Sequence, residues 1–156
     1  MTSRGFKSQA VATWIAILGG AFGLHRFYLH GLRDPWGWTY PLPTLLGLYG
    51  VDRMRELGQD DRLAWVLIPL LGLTLAGSML AALVYALGSD DKWNARFNAG
   101  AGRASQRGAA TVLGAIVALA VGAGVLMATI AFAAQRYFEA QAVASERPPI
   151  RRTGSG

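Results

Sequence analysis

The run GAATVLGAIVALAVGAGVLMATIAFAAQ occupies residues 108–135 and contains no Asp, Glu, Lys or Arg. A helix formed by these 28 residues would be about 42 Å long at 1.5 Å per residue. The hydrocarbon core of a bilayer is only about 30 Å thick. An uncharged apolar run of this length is typical of a transmembrane helix. The run therefore predicts a helix that crosses a membrane.

Three more blocks without charged residues precede this run, at residues 8–24, 35–51 and 63–89. Charged residues make up only 15% of the chain, whereas a soluble domain carries about a quarter. Because a soluble helix keeps one charged, wetted side, charges gathered between apolar blocks indicate a membrane protein. The sequence predicts an all-α, multi-pass integral membrane protein with about four transmembrane helices. Two of them form a short hairpin, and two are longer.

The same pattern divides the chain into three parts. Residues 1–57 form the predicted hairpin, whose first segment we expect to be retained rather than cleaved as a signal peptide. Residues 58–140 hold the two longer helices, with a polar, basic loop at about 90–107. Residues 141–156 are polar and proline-containing, and they predict a disordered tail.

Two segments need finer interpretation. Pro41 and Pro43 disfavour helix in the residues before them, so we expect regular helix from near Pro43 to about residue 57. A re-entrant second segment is the alternative to a full crossing. Trp93 and Phe97 are four residues apart beside basic neighbours, which predicts a short helix lying on the membrane surface.

The distribution of Lys and Arg predicts an orientation. Four crossings would place both chain ends on one side of the membrane. With those ends and residues 52–62 in the cytoplasm, nine Lys and Arg lie inside and six lie outside. The positive-inside rule favours this arrangement. The Ala-, Gly- and Arg-rich composition, without glycosylation sequons, suits a bacterial inner membrane.

Small residues spaced four apart mark candidate helix-packing faces. Such residues let a second helix approach closely in lipid, where association depends on dispersion contacts. The candidates are Gly19, Gly20 and Gly23 in the first block, Gly72 and Ala76 in the third, and Gly114, Ala118 and Gly122 in the fourth. They serve either the packing of the protein's own helices or the docking of another membrane protein or a second copy.

The most distinctive run is GGAFGLHRFYLHG at residues 19–31. Together with Lys7-Ser8 before it and Gly50-x-Asp52 after the second block, it resembles the TM2-domain family over about residues 6–56. The residues that carry the resemblance are Lys7, His25, Arg26, Phe27, Tyr28 and Asp52. The resemblance implies a hairpin of two transmembrane helices and no established catalytic site.

An antiparallel hairpin predicts which motif residues share a membrane face. Lys7 and Asp52 would lie at one face, with His25 and Arg26 at the other. One interpretation is that Lys7 and Asp52 pin the hairpin or bind a lipid headgroup. The other is that both are water-exposed boundary residues, whose pairing would contribute about 1 kcal/mol or less.

The chemistry of the remaining residues argues against several function classes. Without cysteines the chain cannot form disulfides or thiolate metal sites. His25 and His30 are five residues apart and fall on different helix faces, so we predict no metal site. Gly100-x-Gly102 lacks the third glycine of a dinucleotide-binding loop, and we predict no cofactor.

These exclusions leave a membrane protein without a recognisable active site. The net charge is +6, and the basic residues lie at the edges of the apolar blocks. There they suit contacts with lipid headgroups rather than with nucleic acid. The four blocks contain no ionisable residue for a proton relay. We therefore predict a non-enzymatic accessory or scaffold protein, with membrane lipids and either another membrane protein or a homo-oligomer as partners. The alternative is a small oligomeric channel or a lipid-interacting protein.

Overall fold

The computed structural model describes residues 5–145, and its regular elements are helices throughout that range. The helices are α1 (Gln9–Gly19), α2 (Leu24–His30), α3 (Pro35–Thr39), α4 (Pro41–Leu57), α5 (Arg62–Leu87), α6 (Asp90–Phe97) and α7 (Ala109–Ser145). A 3-10 turn over Gly20–Phe22 follows α1. The all-α prediction is confirmed, as are the short helix around Trp93 and a helix that begins near the two prolines.

Helices α5 and α7 form the frame of the molecule. They contain 26 and 37 residues, and both are long and apolar enough to cross a membrane. They run antiparallel, with Gly72 of α5 against Thr129 of α7 and Met79 against Gly122. Only 17% and 11% of their most apolar windows are buried. Core helices of a soluble protein would be mostly buried, so this exposure suits surfaces that face lipid.

Helices α1 and α4 lie one after the other along α5. Gln9 at the start of α1 donates from Nε2 to the carbonyl oxygen of Tyr85 at 2.6 Å, close to the end of α5. Gly50 of α4 instead abuts Leu67, near the start of α5. Helix α1 with its 3-10 turn is about 21 Å long, α4 about 26 Å and α5 about 39 Å. Helix α1 thus packs along the C-terminal part of α5, and α4 packs along its N-terminal part.

This stacking differs from the predicted antiparallel hairpin. Lys7 donates from its backbone N–H to Asn98 Oδ1 at 2.8 Å, beyond the C-terminal end of α5. Asp52 adjoins Arg53, which pairs with Asp61 at the N-terminal end of α5. The prediction that Lys7 and Asp52 share one face was therefore wrong. The physical reason is that the chain turns back only over α2, and α4 then runs along α5 in the same direction as α1.

Four transmembrane helices are not confirmed. The first apolar helix, Gln9–Phe22, is too short to meet the length for a span, because Gly23 ends it and the chain turns back. The first and last described segments consequently lie at opposite ends of the bundle. Arg136 of α7 stacks on Trp65 at 5.5 Å, whereas residues 5–8 lie at the α6 end. Within residues 5–145 the two ends therefore do not share one end of the bundle, while the side of a membrane on which the termini lie stays a prediction.

The C-terminal boundary also differs from the prediction. Helix α7 continues through Ser145, so residues 141–145 are helical although they were expected to begin a disordered tail. The rest of that predicted tail, residues 146–156, lies outside the described residues.

Candidate functional site

The glycine-rich part of the motif forms a chain reversal. Gly19 ends α1, and the backbone N–H of Gly23 donates to the carbonyl oxygen of Gly20 at 2.9 Å. Gly23 has φ +75°, a left-handed conformation that favours glycine. A Cβ on Gly23 would also overlap the carbonyl oxygen of Gly37. Gly23 is therefore the hinge from which α2 runs back along α1.

The reversal brings Lys7 and Tyr28 together. Lys7 Nζ donates to the backbone carbonyl oxygens of Tyr28 and Leu29, with 2.8 Å to the latter. These carbonyls belong to the last turn of α2, where a cation is favourable. The Tyr28 hydroxyl accepts from the backbone N–H of Ser8 at 3.0 Å. Burial lowers the pKa of Lys7 from its ordinary value. The motif thus closes α2 onto the start of α1.

The other motif residues of α2 point in separate directions. His25 is 1% exposed and meets the ring of Tyr40 edge to face at 5.3 Å. Its Nδ1 has no hydrogen-bond partner within residues 5–145. Arg26 Nε donates to Asp34 at 2.7 Å. Phe27 packs on Trp38, with ring centroids 5.2 Å apart. His25 is an internal packing residue, while Arg26 keeps its charge paired.

Asp52 is not joined to the rest of the motif. It is exposed on α4, and the ion pair at this end of the bundle uses Arg53 and Asp61 instead. Their side chains make two hydrogen bonds, of 2.7 and 3.1 Å. The Arg53 guanidinium, with the N–H groups that Asp61 caps, holds the pKa of Asp61 below its ordinary value. No pattern in the sequence favoured Asp61 over Asp52.

Most of the predicted packing residues serve internal contacts. Four glycines face a neighbouring element with little room for a larger side chain: Gly20 faces Ser78, Gly72 faces Thr129, Gly114 faces Thr13 and Gly122 faces Met79. Gly19 faces the flexible end of the Leu24 side chain. Ala118 is fully buried. Gly47 and Gly50, which face Leu71 and Leu67, were missed. Their spacing of three along a short block was the available signal. Within the described residues, these glycines therefore contact other elements of the same chain.

A polar cluster at the α6 end was also missed from sequence. Gln9 is fully buried, and its backbone N–H donates to Ser105 Oγ at 3.0 Å. Asn94 Nδ2 donates to the carbonyl oxygen of Ser105 at 2.9 Å, and Trp93 Nε1 donates to that of Lys7 at 2.9 Å. These bonds fix α6 and the loop after it against α1. A glutamine near the start of an uncharged, mainly apolar block was the available signal.

An apolar surface with small residues stays open between α5 and α7. A groove of about 420 Å³ runs between α5 and α7 and is lined by apolar residues and glycines, among them Ala76, Gly77, Leu80, Leu119 and Ala123. A Cβ placed on Gly77 would have no atom within 4 Å. Among the predicted packing residues, Ala76 lines this groove together with the inner residues Ala118 and Gly122. We refer to it as the α5–α7 groove.

Comparisons with known proteins add no relative. No family model matches the chain, and neither a curated protein nor a solved structure matches it. The resemblance of residues 6–56 to the TM2-domain family stays a prediction. The function must therefore be inferred from the geometry and chemistry of the described residues.

Proposed function

We propose that the protein is a multi-pass integral membrane protein that acts as a non-enzymatic accessory or scaffold subunit. Its α5–α7 groove would bind a transmembrane helix of another membrane protein. The observation that supports this most is the open groove itself, which lies between the two longest apolar helices and is lined by apolar residues and glycines.

The chemistry of the groove suits a helix as the occupant. Apolar side chains that already lie in lipid gain little by moving into a contact between helices. Membrane helices therefore associate through close packing at small residues. Ala76 and Gly77 on α5 and Ala123 on α7 provide such a surface, and leucines flank it. These three small residues would let the backbone of a partner helix approach closely, while Leu80 and Leu119 would contact the side chains of that helix.

The proposal includes a membrane topology with three crossings instead of the four expected from sequence. Helices α5 and α7 would each cross, and α1 followed by α4 would together make the third crossing. In the intervening segment Arg26 is paired with Asp34, as charges near hydrocarbon normally are, while Arg33 is exposed. The composition favours a bacterial inner membrane.

A larger side chain in the α5–α7 groove should prevent the partner protein from binding. We expect the tagged full-length protein, purified from native membranes in mild detergent, to recover one membrane protein at fixed stoichiometry. The substitution Gly77→Leu should reduce that recovery at least about tenfold, because the side chain would occupy space that a partner helix needs. Gly124→Leu is the matched control. Gly124 is also a helical glycine at which an added Cβ would meet no atom within 4 Å, but it does not line the groove.

Three results would decide among the candidate functions. Loss of the partner with Gly77→Leu but not with Gly124→Leu supports the scaffold function. Recovery of the wild-type protein as a lone monomer contradicts it. A homo-oligomer that contains only this chain and lipid would replace the scaffold function with the channel or lipid-interaction alternative.

A further inference from the structure

A second groove lies at the C-terminal end of α5, where α2 and α6 meet it. Its volume is about 420 Å³. Three cationic side chains border it, namely Arg26, Lys92 and Arg96, while Leu29, Val84 and Trp93 provide apolar lining. We call it the basic groove. We propose that the basic groove binds the phosphate-bearing headgroup of an anionic phospholipid, with an acyl chain along its apolar side.

The cations are held in place by the surrounding fold. Lys92 and Arg96 are four residues apart, so they lie on the same side of α6. That helix is anchored by Trp93, which is 6% exposed, packs on Phe97 at 4.7 Å and donates a hydrogen bond to the backbone of Lys7. Arg26 enters from α2, which the chain reversal places beside α6. The groove therefore presents cations from two elements that are far apart in sequence.

The charges around the groove leave a positive surplus. Asp34 is the carboxylate paired with Arg26, at 2.7 Å, and it also lies 3.9 Å from His30. Asp90 accepts a hydrogen bond from the backbone N–H of Arg107 at 3.1 Å. Asp91 is exposed. Lys92 and Arg96 are both exposed at the groove. Two cations in excess of the paired carboxylate suit a phosphate oxyanion.

The apolar side of the groove distinguishes a phospholipid from a soluble phosphate compound. Val84 lines the groove and is 61% exposed on α5. Val84 extends the apolar lining from the cations towards the middle of α5, the path that an acyl chain would follow from its headgroup. A basic pocket at the end of a membrane-crossing helix is a common form of headgroup site.

This proposal uses a different surface from the α5–α7 groove and does not require a protein partner. Residues of the basic groove come from α2, the end of α5 and α6, whereas the α5–α7 groove lies near the middle of α5 and α7. A protein that lacks any bound partner could still bind lipid here. The two proposals can consequently fail independently.

Titration of the purified full-length protein with phosphatidylglycerol tests the site. Native mass spectrometry in a nonionic detergent would count bound lipids and give an apparent Kd. We expect one preferred lipid. The double substitution Lys92→Gln/Arg96→Gln should lower the affinity about 25-fold, taking about fivefold for each cation. The control Arg55→Gln/Arg103→Gln removes two exposed cations outside the groove and should change the affinity less than about threefold.

The outcomes separate the lipid site from simpler binding. An equal loss of lipid affinity in the two double variants would show that only the overall charge of the protein matters. That result would overturn the proposal. Equal affinity for phosphatidylcholine would also overturn it, and so would full competition by inorganic phosphate at the lipid's own concentration. Retained binding by Lys92→Arg/Arg96→Lys, which keeps both charges, would support it. Circular dichroism of each variant would check that the helices are intact.

Discussion

Replacing Gly23 with alanine is expected to lower the free energy of unfolding by about 2–5 kcal/mol. Two effects add at this position. Gly23 has φ +75°, and the left-handed conformation costs any other L-residue about 1–2 kcal/mol. The new Cβ would also overlap the carbonyl oxygen of Gly37, and overpacking of this kind typically costs about 1–3 kcal/mol. Because the reversal starts here, α2 would lose its position beside α1.

Thermal unfolding in detergent, followed by near-ultraviolet circular dichroism, measures this loss. Gly102→Ala is the control, since Gly102 also has positive φ, +65°, but no atom within 4 Å of a Cβ. It should cost no more than the conformational part, about 1–2 kcal/mol. Equal destabilisation by the two substitutions would show that the contact between Gly23 and Gly37 contributes nothing.

Replacing Gly72 with alanine should lower the free energy of unfolding by about 1–3 kcal/mol. At Gly72, α5 lies close to α7, and a Cβ built there would overlap the Thr129 side chain, whose own Cβ would be 2.9 Å away. Thr129 cannot easily turn aside, because its hydroxyl donates to the carbonyl oxygen of Val125 at 2.7 Å. The two frame helices would have to separate or shift.

Denaturation by a mixed-micelle titration compares Gly72→Ala with Gly77→Ala. Gly77 lies on the same helix but faces open space, so its substitution should change the free energy of unfolding by less than about 0.5 kcal/mol. Combining Gly72→Ala with Thr129→Gly should recover part of the loss, because the small residue then lies on the other helix. Indistinguishable effects of the two alanine substitutions would refute the close approach of α5 and α7.

The long helices were predictable because their signal is local. Residues 63–89 and 108–135 are uncharged over more than the thickness of the hydrocarbon core of a bilayer, and such a length is typical of a membrane-crossing helix. The short helix α6 was predictable for a similar reason, from two aromatic residues beside cations. Each of these predictions needed only the residues within the element.

The arrangement of α1 and α4 was not predictable in this way. Residues 8–24 are apolar enough to suggest a crossing, but whether the chain continues after Gly23 depends on Gly37 and Lys7, which lie outside the block. The same limit applies to the packing glycines. The sequence marked Gly114 and Gly122 as small, yet their spacing could not distinguish an internal neighbour such as Met79 from a separate protein.

The basic groove shows a related limit. Lys92 and Arg96 were visible as headgroup candidates, since they follow a long apolar block. Arg26 was expected on the same side of the membrane as these two residues and away from Lys7, but not beside them. Its position beside α6 depends on the reversal at Gly23, so no pattern within either segment could place these three cations around one groove.

The proposed topology has α1 and α4 sharing one crossing, so that residues 5 and 145 lie on opposite sides of the membrane. The chain has no cysteine, and single cysteines can therefore report on accessibility without background. Suitable positions are the exposed residues Gly5, Asp60, Ala104 and Ser145. Each variant would be labelled with a membrane-impermeant maleimide in intact cells and in inverted vesicles.

Three crossings predict that Gly5→Cys and Ala104→Cys react from one side, and that Asp60→Cys and Ser145→Cys react from the other. A hairpin of two full crossings would give a different pattern, because residues 5, 60 and 145 would then share one side and residue 104 alone would face the other. That second pattern would contradict the stacking of α1 and α4 along α5, and with it the topology of three crossings.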